Sequence, residues 1–272
     1  MAVLTPVTAA DDPRLEPYRD IRERDLVGRD GLFVAEGRVV LEKLVAAGRK
    51  PLRSVLVSQV KARGLAGLLS ALPVETPVYV APQAVLDAIA GFHIHRGVLA
   101  IGEGRATSPG ALLRDLGPRA LVVGLSAVAN HDNMGGVFRN AAAFGADAVL
   151  LDSACCDPLY RKSIRVSVGA ALTTPFARLP PGEDLVATLA GAGFDVLALS
   201  PRGEIDLDDV EAGPRVAALF GAEGPGLAPA VLARTRTVRI PMAGGFDSLN
   251  LGTSSGLVLH RLARMRGEER RV

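Results

Sequence analysis

Three glycine-bearing segments, each following an apolar run, hold the residues whose types and spacing suggest chemistry. The first is Asn133-Met134-Gly135-Gly136-Val137-Phe138-Arg139-Asn140-Ala141-Ala142-Ala143-Phe144-Gly145. It reads as a helix with Asn133 near the N-cap and Gly145 as the C-terminal stop. Arg139 interrupts that apolar stretch, and a guanidinium there, if buried, needs an anion or an acceptor-rich partner. The second is Leu219-Phe220-Gly221-Ala222-Glu223-Gly224-Pro225-Gly226-Leu227, where a strand ends in glycines and one carboxylate. Glycines let backbone amides approach a ligand, although alone this is equally an ordinary strand-to-helix turn. The third runs from Ile240-Pro241-Met242 through Ser248-Leu249-Asn250 to Gly252-Thr253-Ser254-Ser255-Gly256. Ser248 or Asn250 is suited to cap the final helix. The small residues that follow stand where helix propensity prefers Ala or Leu, which implies a backbone or a ligand packed very close.

Several common chemistries lack their motifs. Gly124-Leu125-Ser126-Ala127-Val128-Ala129 is not a G-x-G-x-x-G fingerprint, and there is no phosphate loop, nucleophile elbow or H-E-x-x-H. His93 and His95 alternate and so share a face, but without a third ligand they read as surface residues, and no metal is expected. The two cysteines are the neighbours Cys155 and Cys156, which neither staple distant segments nor have zinc-ligand spacing. They read as packing residues.

The elements that must position these residues follow from the hydrophobic pattern. The chain has 272 residues, 49% of them hydrophobic, with 31 Lys and Arg against 29 Asp and Glu. Its formal charge of +2 means that any nucleic-acid surface is a local patch. The sequence has neither a bilayer-length apolar run nor a secretory start, which places the protein in the cytoplasm with no membrane partner. Residues 14–104 mix short strands, such as Leu52–Val57 and Pro77–Val80, with helical spacing at Val39–Leu44, giving a small α/β unit. Residues 105–117 begin with the turn-rich Arg105-Ala106-Thr107-Ser108-Pro109-Gly110 and read as a linker. From 118 to 268 strands and helices alternate: strand Ala120–Leu125, helix Met134–Phe144, strand Ala148–Leu151, helix Asp184–Ala192, strands Asp195–Leu199, Arg215–Phe220 and Val238–Ile240, and a last helix Leu249–Met265. Such alternation predicts a parallel sheet covered by helices, with ligands bound beyond the carboxyl ends of its strands.

As an ordered set, N-x-G-x-x-x-R-N-A-x-x-F-G, F-G-x-E-G-x-G-L and I-P-M-x-G-x-x-D-S-L-N resemble the three signature motifs of the SpoU (TrmH-like) family of RNA 2′-O-ribose methyltransferases, in the SPOUT superfamily. Arg161-Lys162-Ser163-Ile164-Arg165-Val166-Ser167-Val168-Gly169-Ala170 is similar to that family's S-x-G-A segment. Phe33-Val34-Ala35-Glu36-Gly37 and His95-Arg96-Gly97-Val98 resemble parts of the substrate-binding domain, similar to ribosomal protein L30e, that many members carry.

The resemblance implies an L30e-like RNA-binding domain before a parallel-sheet methyltransferase domain whose last segments form a deep trefoil knot. It implies S-adenosyl-L-methionine as cofactor, contacted near Leu219, Gly221, Gly226, Ile240, Met242 and Leu249, and a homodimer through the C-terminal domain. Arg139 is implied to contact the 2′-hydroxyl or its phosphate, with Asn133, Glu223, Ser248 and Asn250 orienting the groups, and Arg161, Lys162 and Arg165 touching RNA phosphates. Because arginine keeps its proton, we read Arg139 as a clamp rather than a base. The substrate is expected to be RNA, ribosomal ahead of transfer RNA. The alternative is a non-catalytic RNA-binding protein that keeps the fold. The N-terminal domain, with Arg22, Arg24, Arg29, Arg49, Lys50 and Arg53, is expected to supply RNA affinity. Removal of residues 1–110 is then expected to leave a folded, cofactor-binding dimer.

Overall fold

The computed structural model describes residues 3–21, 31–244, 246 and 248–267. The chain forms two compact units: the first runs to Arg105 and includes Asp157–Thr173, and the second comprises Ala106–Cys156 and the chain from Thr174 onward.

The first unit is built on a five-stranded sheet of β1 (Leu4–Pro6), β2 (Leu32–Glu36), β3 (Leu52–Ser58), β4 (Val78–Ala81) and β5 (Val98–Glu103), in the order β1-β4-β3-β5-β2. β5 runs antiparallel to both of its neighbours, while the other pairs are parallel. Helix Gln83–Ala90 buries Val85, Leu86, Ile89 and Ala90, the spacing of one helical face, and ends on Gly91 in the left-handed region (φ 72°). That face meets Val34, Leu56, Leu99 and Ile101 of the sheet and Leu15 and Tyr18 of a short N-terminal 3-10 helix.

One stretch inside the span 118–268 has its partners in this first unit. Helix Arg161–Val166 packs on β2, and the turn Ala170–Thr173 packs on helix Arg38–Ala47. The Arg161 guanidinium pairs with the Glu36 carboxylate at 2.7 Å and lies 4.9 Å from the Phe92 ring centre. Hydrophobic alternation places elements in order but does not say which sheet each one joins, so this partner choice was not readable from the pattern.

The second unit carries a seven-stranded, wholly parallel sheet. Its strands are β6 (Ala120–Leu125), β7 (Ala148–Leu151), β8 (Phe176–Arg178), β9 (Asp195–Leu199), β10 (Ile205–Asp206), β11 (Arg215–Phe220) and β12 (Arg236–Arg239), in the order β10-β12-β9-β11-β6-β7-β8. Every residue of β6 is buried, as a continuous apolar run requires when both faces are covered. Val122, Leu150 and Leu219 face a core filled by Leu112, Leu113, Leu185 and Leu189 from helices Pro109–Arg114 and Leu185–Gly191. Leu121 and Val123 point to the opposite face and are equally buried. Helix Leu251–Met265 packs on β11 and on helix His131–Ala143. The strands expected at β6, β7, β9 and β11 have the observed bounds. The edge strands β8 and β10 were not expected, because two or three residues without an apolar run give no periodic signal.

Candidate functional site

The carboxyl ends of β6 and β11 lie side by side: Leu125 pairs with Phe220, and Ser126 N–H donates to the Phe220 carbonyl at 2.9 Å. From β6 the chain turns through Ser126–Asn130 into helix His131–Ala143. The cap of that helix is Asn130, not Asn133. Its side-chain oxygen accepts from the N–H groups of Asp132 (2.8 Å) and Asn133 (3.4 Å). Asn133 therefore sits in the first turn, with only 5% of its surface exposed.

A buried amide must be satisfied at both ends, and Asn133 is. Its Nδ2 donates to Glu223 Oε2 at 2.9 Å, and its Oδ1 accepts from Asn250 Nδ2 at 2.9 Å. Asn250 in turn caps the last helix, its Oδ1 accepting from Gly252 N–H (2.8 Å) and Thr253 N–H (3.3 Å). One continuous hydrogen-bonded chain, Glu223–Asn133–Asn250, thus links the turn after β11 to the starts of two helices. These helices approach closely, and a Cβ added to Gly136 would lie 3.6 Å from the Gly252 Cα. Asn140, one helical face along from Asn133 and Gly136, donates to the Gly252 carbonyl (2.6 Å) and Ser255 Oγ (2.9 Å). The small residues at the start of the last helix therefore have a packing role against helix His131–Ala143.

The turn after β11 is tight. A Cβ on Gly221 would stand 2.3 Å from the Gly226 carbonyl carbon, Gly226 N–H donates to the Ala222 carbonyl at 3.0 Å, and Gly224 and Gly226 both have positive φ. Glu223 is carried exposed on this turn, while Leu219 is buried within β11. Beyond β12, Ile240 and Met242 are half-buried, Ser248 and Leu249 are exposed, and Gly245 and Asp247 lie outside the described residues. A Cβ on Gly203 would be 2.4 Å from the Val238 carbonyl carbon, so the chain before β10 presses directly on β12.

Arg139 is solvent-exposed, and among the described residues it makes no hydrogen bond or ion pair. The condition that a buried guanidinium needs an internal partner does not arise. Its charge is available to a ligand.

Within the second unit the structure brings together Asn133, Glu223 and Asn250, and among the described residues Arg139 is not bonded to them. Lys162 and Arg165 are exposed on their short helix, whereas Arg161 is committed to Glu36. Among the other cations singled out, Arg53 pairs with Glu103 at 2.9 Å and Arg49 is exposed. Burial lowers the pKa of Lys50 against the opposing charge of Asp157. Arg22, Arg24 and Arg29 lie outside the described residues.

Sequence reasoning missed Asn130 and Asn140. Asn130 carried a usable signal, a capping residue just before an apolar-periodic segment, whereas Asn140, although it follows Arg139 in the first motif, gives no local sign of its bonds to Gly252 and Ser255. Cys155 packs as expected: its Sγ donates to the Leu125 carbonyl at 3.3 Å and accepts from Val128 N–H at 3.4 Å, and burial pushes the thiol up to about 12. His93 Nδ1 lies 2.7 Å from Asp87 Oδ2, with His95 edge-on to it at 4.4 Å. Among the described residues no group of three or more His, Cys, Asp or Glu is arranged for a metal ion, and no helix is long and apolar enough to cross a membrane.

The profile of the SpoU rRNA Methylase family matches residues 120–260. An uncharacterized tRNA/rRNA methyltransferase of Mycobacterium tuberculosis is 40% identical over 264 residues, covering 93% of this chain and 90% of its own. The AdoMet-bound rRNA methyltransferase of Sinorhizobium meliloti superposes with a TM-score of 0.82 at 25% identity, over 96% of this chain and 98% of that one. An RNA 2′-O ribose methyltransferase superposes with a TM-score of 0.78 at 26% identity, over 96% and 99% of the two chains.

Proposed function

Because the chain belongs to the SpoU rRNA Methylase family, we propose that it moves a methyl group from S-adenosyl-L-methionine to a ribose 2′-hydroxyl of RNA, ribosomal RNA ahead of transfer RNA. The observation that carries this reading is the Glu223–Asn133–Asn250 chain, which ties one residue from each of the three motifs into a single network at the carboxyl ends of the parallel strands.

The residues present fit the cofactor. On the turn after β11, Gly221 has no room for a Cβ, and Gly224 and Gly226 hold positive φ with open space beside them, so three side-chain-free positions leave backbone N–H and C=O groups accessible to a ligand. Leu219, Gly221 and Gly226 on one loop, and Ile240, Met242 and Leu249 on the next, would hold it. When bound, S-adenosyl-L-methionine supplies an electrophilic methyl on a sulfonium that leaves as a neutral thioether. Transfer of this kind rests mostly on positioning. Arg139, exposed and without a partner among the described residues, clamps the phosphate beside the target ribose and stabilises the developing oxyanion. Asn133, Glu223, Ser248 and Asn250 orient the nucleotide and the cofactor against it. Lys162 and Arg165 are the phosphate contacts we retain from their segment, because both are exposed, whereas Arg161 is largely buried against Glu36.

The same reading includes a trefoil knot in the last segments, as the three-motif set implies. It also includes a homodimer through the second unit, an L30e-like RNA-binding role for the first, and a cytoplasmic setting. The test uses purified full-length protein, methyl-labelled S-adenosyl-L-methionine and total RNA from cells lacking the gene. Label should appear at one ribose, and 2′-deoxy substitution there should abolish it. Label surviving that substitution would refute ribose chemistry. Failure to bind the cofactor in calorimetry would instead favour a non-catalytic RNA binder.

A further inference from the structure

Asp152, immediately after β7, lies outside all three motifs, yet its carboxylate is saturated with donors. Oδ2 accepts from Ser126 Oγ–H (2.7 Å) and Ala127 N–H (2.9 Å), and Oδ1 accepts from the N–H groups of Ala154 and Cys155 (both 3.0 Å). The Asp152 loop is fixed from its other side by Arg178 on β8, which donates to the carbonyls of Asp152 (3.1 Å), Cys155 (2.6 Å) and Cys156 (3.0 Å). Two of the four donors belong to the turn after β6, and Ala127 within that turn has φ of +54°. A residue with a Cβ enters this left-handed region at a cost and stays there only when its surroundings hold it. Val128 adds a second tie, its N–H donating to Cys155 Sγ at 3.4 Å. Two residues further on stands Asn130, the cap of the helix that carries Asn133 and Arg139.

We infer that Asp152 is a positioning residue for methyl transfer: it holds the Ser126–Asn130 turn in a strained left-handed conformation and so fixes where the helix bearing Asn133 and Arg139 begins. The inference rests on the function proposed above. Asp152 touches neither substrate nor cofactor in this role. It acts through the turn, and misplacement of a catalytic helix by about 1 Å can cost as much as 10²-fold in rate.

The experiment compares full-length wild type, Asp152→Ala, Ala127→Gly and the double variant. Each is assayed with methyl-labelled S-adenosyl-L-methionine and total RNA from cells lacking the gene, with cofactor affinity measured separately by calorimetry. Asp152→Ala should lower kcat by about tenfold or more while cofactor affinity changes less than about twofold. Glycine adopts a positive φ without the Cβ penalty. Ala127→Gly alone should therefore leave kcat near wild type, and in the double variant it should restore most of the lost rate. If Asp152→Ala does not fold, Asp152→Asn, which keeps one accepting oxygen, carries the same comparison with and without Ala127→Gly. Equal losses of rate and cofactor affinity, or no rescue by glycine at 127, would overturn the inference. Absence of ribose methylation by the wild-type protein would overturn the proposed function instead, so the two failures are distinguishable.

Discussion

Asn250 Nδ2 donates to Asn133 Oδ1 across 2.9 Å although 117 residues separate them in sequence. Asn250 also caps its own helix, so one side chain sets both where that helix starts and where the neighbouring helix stands. Asn133 passes the constraint on to Glu223.

Replacing Asn133 should therefore damage stability as well as activity. Asn133→Ala leaves the Asn250 amide without its acceptor and Glu223 without its donor; both residues are exposed, so water takes the vacated places and each lost hydrogen bond costs about 0.5–1.5 kcal/mol. Asn133→Asp should be worse, because a carboxylate cannot donate to Glu223 and repels it. Urea unfolding should rank the three proteins wild type, Asn133→Ala, Asn133→Asp. Equal midpoints would show that the chain of hydrogen bonds carries no weight.

Arg139→Ala should separate stability from chemistry. The side chain is exposed and makes no bond among the described residues, so unfolding free energy should stay within about 0.5 kcal/mol of wild type. Cofactor affinity should hardly change. Methyl incorporation should drop by about 10²–10³, the usual loss when an oxyanion contact is removed. A parallel loss of cofactor binding would assign Arg139 a structural role.

The Arg161–Glu36 pair gives a prediction of the opposite kind. Both side chains are largely buried, and removal of one partner leaves the other as an uncompensated charge, a cost of about 3–5 kcal/mol. Glu36→Gln should lower the unfolding midpoint markedly while leaving the salt dependence of RNA binding unchanged, since Arg161, only 18% exposed and 4.9 Å from the Phe92 ring centre, stays largely buried without its partner. A steeper salt dependence in Glu36→Gln would mean that the freed guanidinium does reach RNA.

The same segment changes what truncation should do. Ile164, Ala171 and Leu172 are buried among first-unit partners, and removal of residues 1–110 strands them in solvent. The expected product is a destabilised, aggregation-prone protein rather than the folded cofactor-binding dimer that the linear domain reading implied. A soluble truncation with a sharp thermal transition and wild-type cofactor affinity would count against this.

Asp184 offers a pH test. It caps helix Leu185–Gly191 by accepting from Ala187 N–H at 2.9 Å, and that bond, followed by the pairing with Arg234, holds its carboxyl below the ordinary value. A depressed folded-state pKa contributes stability that is present above the unfolded value and lost as pH falls through the folded one. Asp184→Ala should thus cost about 1 kcal/mol at neutral pH, typical of a lost cap. The gap from wild type should narrow steadily below about pH 4. A gap constant with pH would show that the ionised carboxylate is not what matters.

How much of this was legible beforehand follows from the physics of each feature. β6 and β11 were readable because a strand buried on both faces must be a continuous apolar run. The last helix was readable to within two residues because Asn250 is a typical cap. Asn130 displaced Asn133 as the other cap because two asparagines three residues apart carry the same local signal, and only their partners in the fold distinguish them: helix-start N–H groups for Asn130, Glu223 and Asn250 for Asn133. The Arg161–Glu36 pair spans 125 residues, and Asp152 acts on a turn 25 and 26 residues away in sequence. No periodicity or propensity encodes such pairings.

The edges of the seven-stranded sheet limit how copies of this protein can meet. β10 presents two residues and β8 three, so each rim offers only a few unpaired backbone groups to an incoming strand. Natural sheets discourage edge-to-edge joining in this way. Any second copy must then be met by side chains rather than by extending the sheet. Self-association should consequently respond to single surface substitutions and leave the backbone amides of both rims exchanging hydrogen at the same rate with or without the partner.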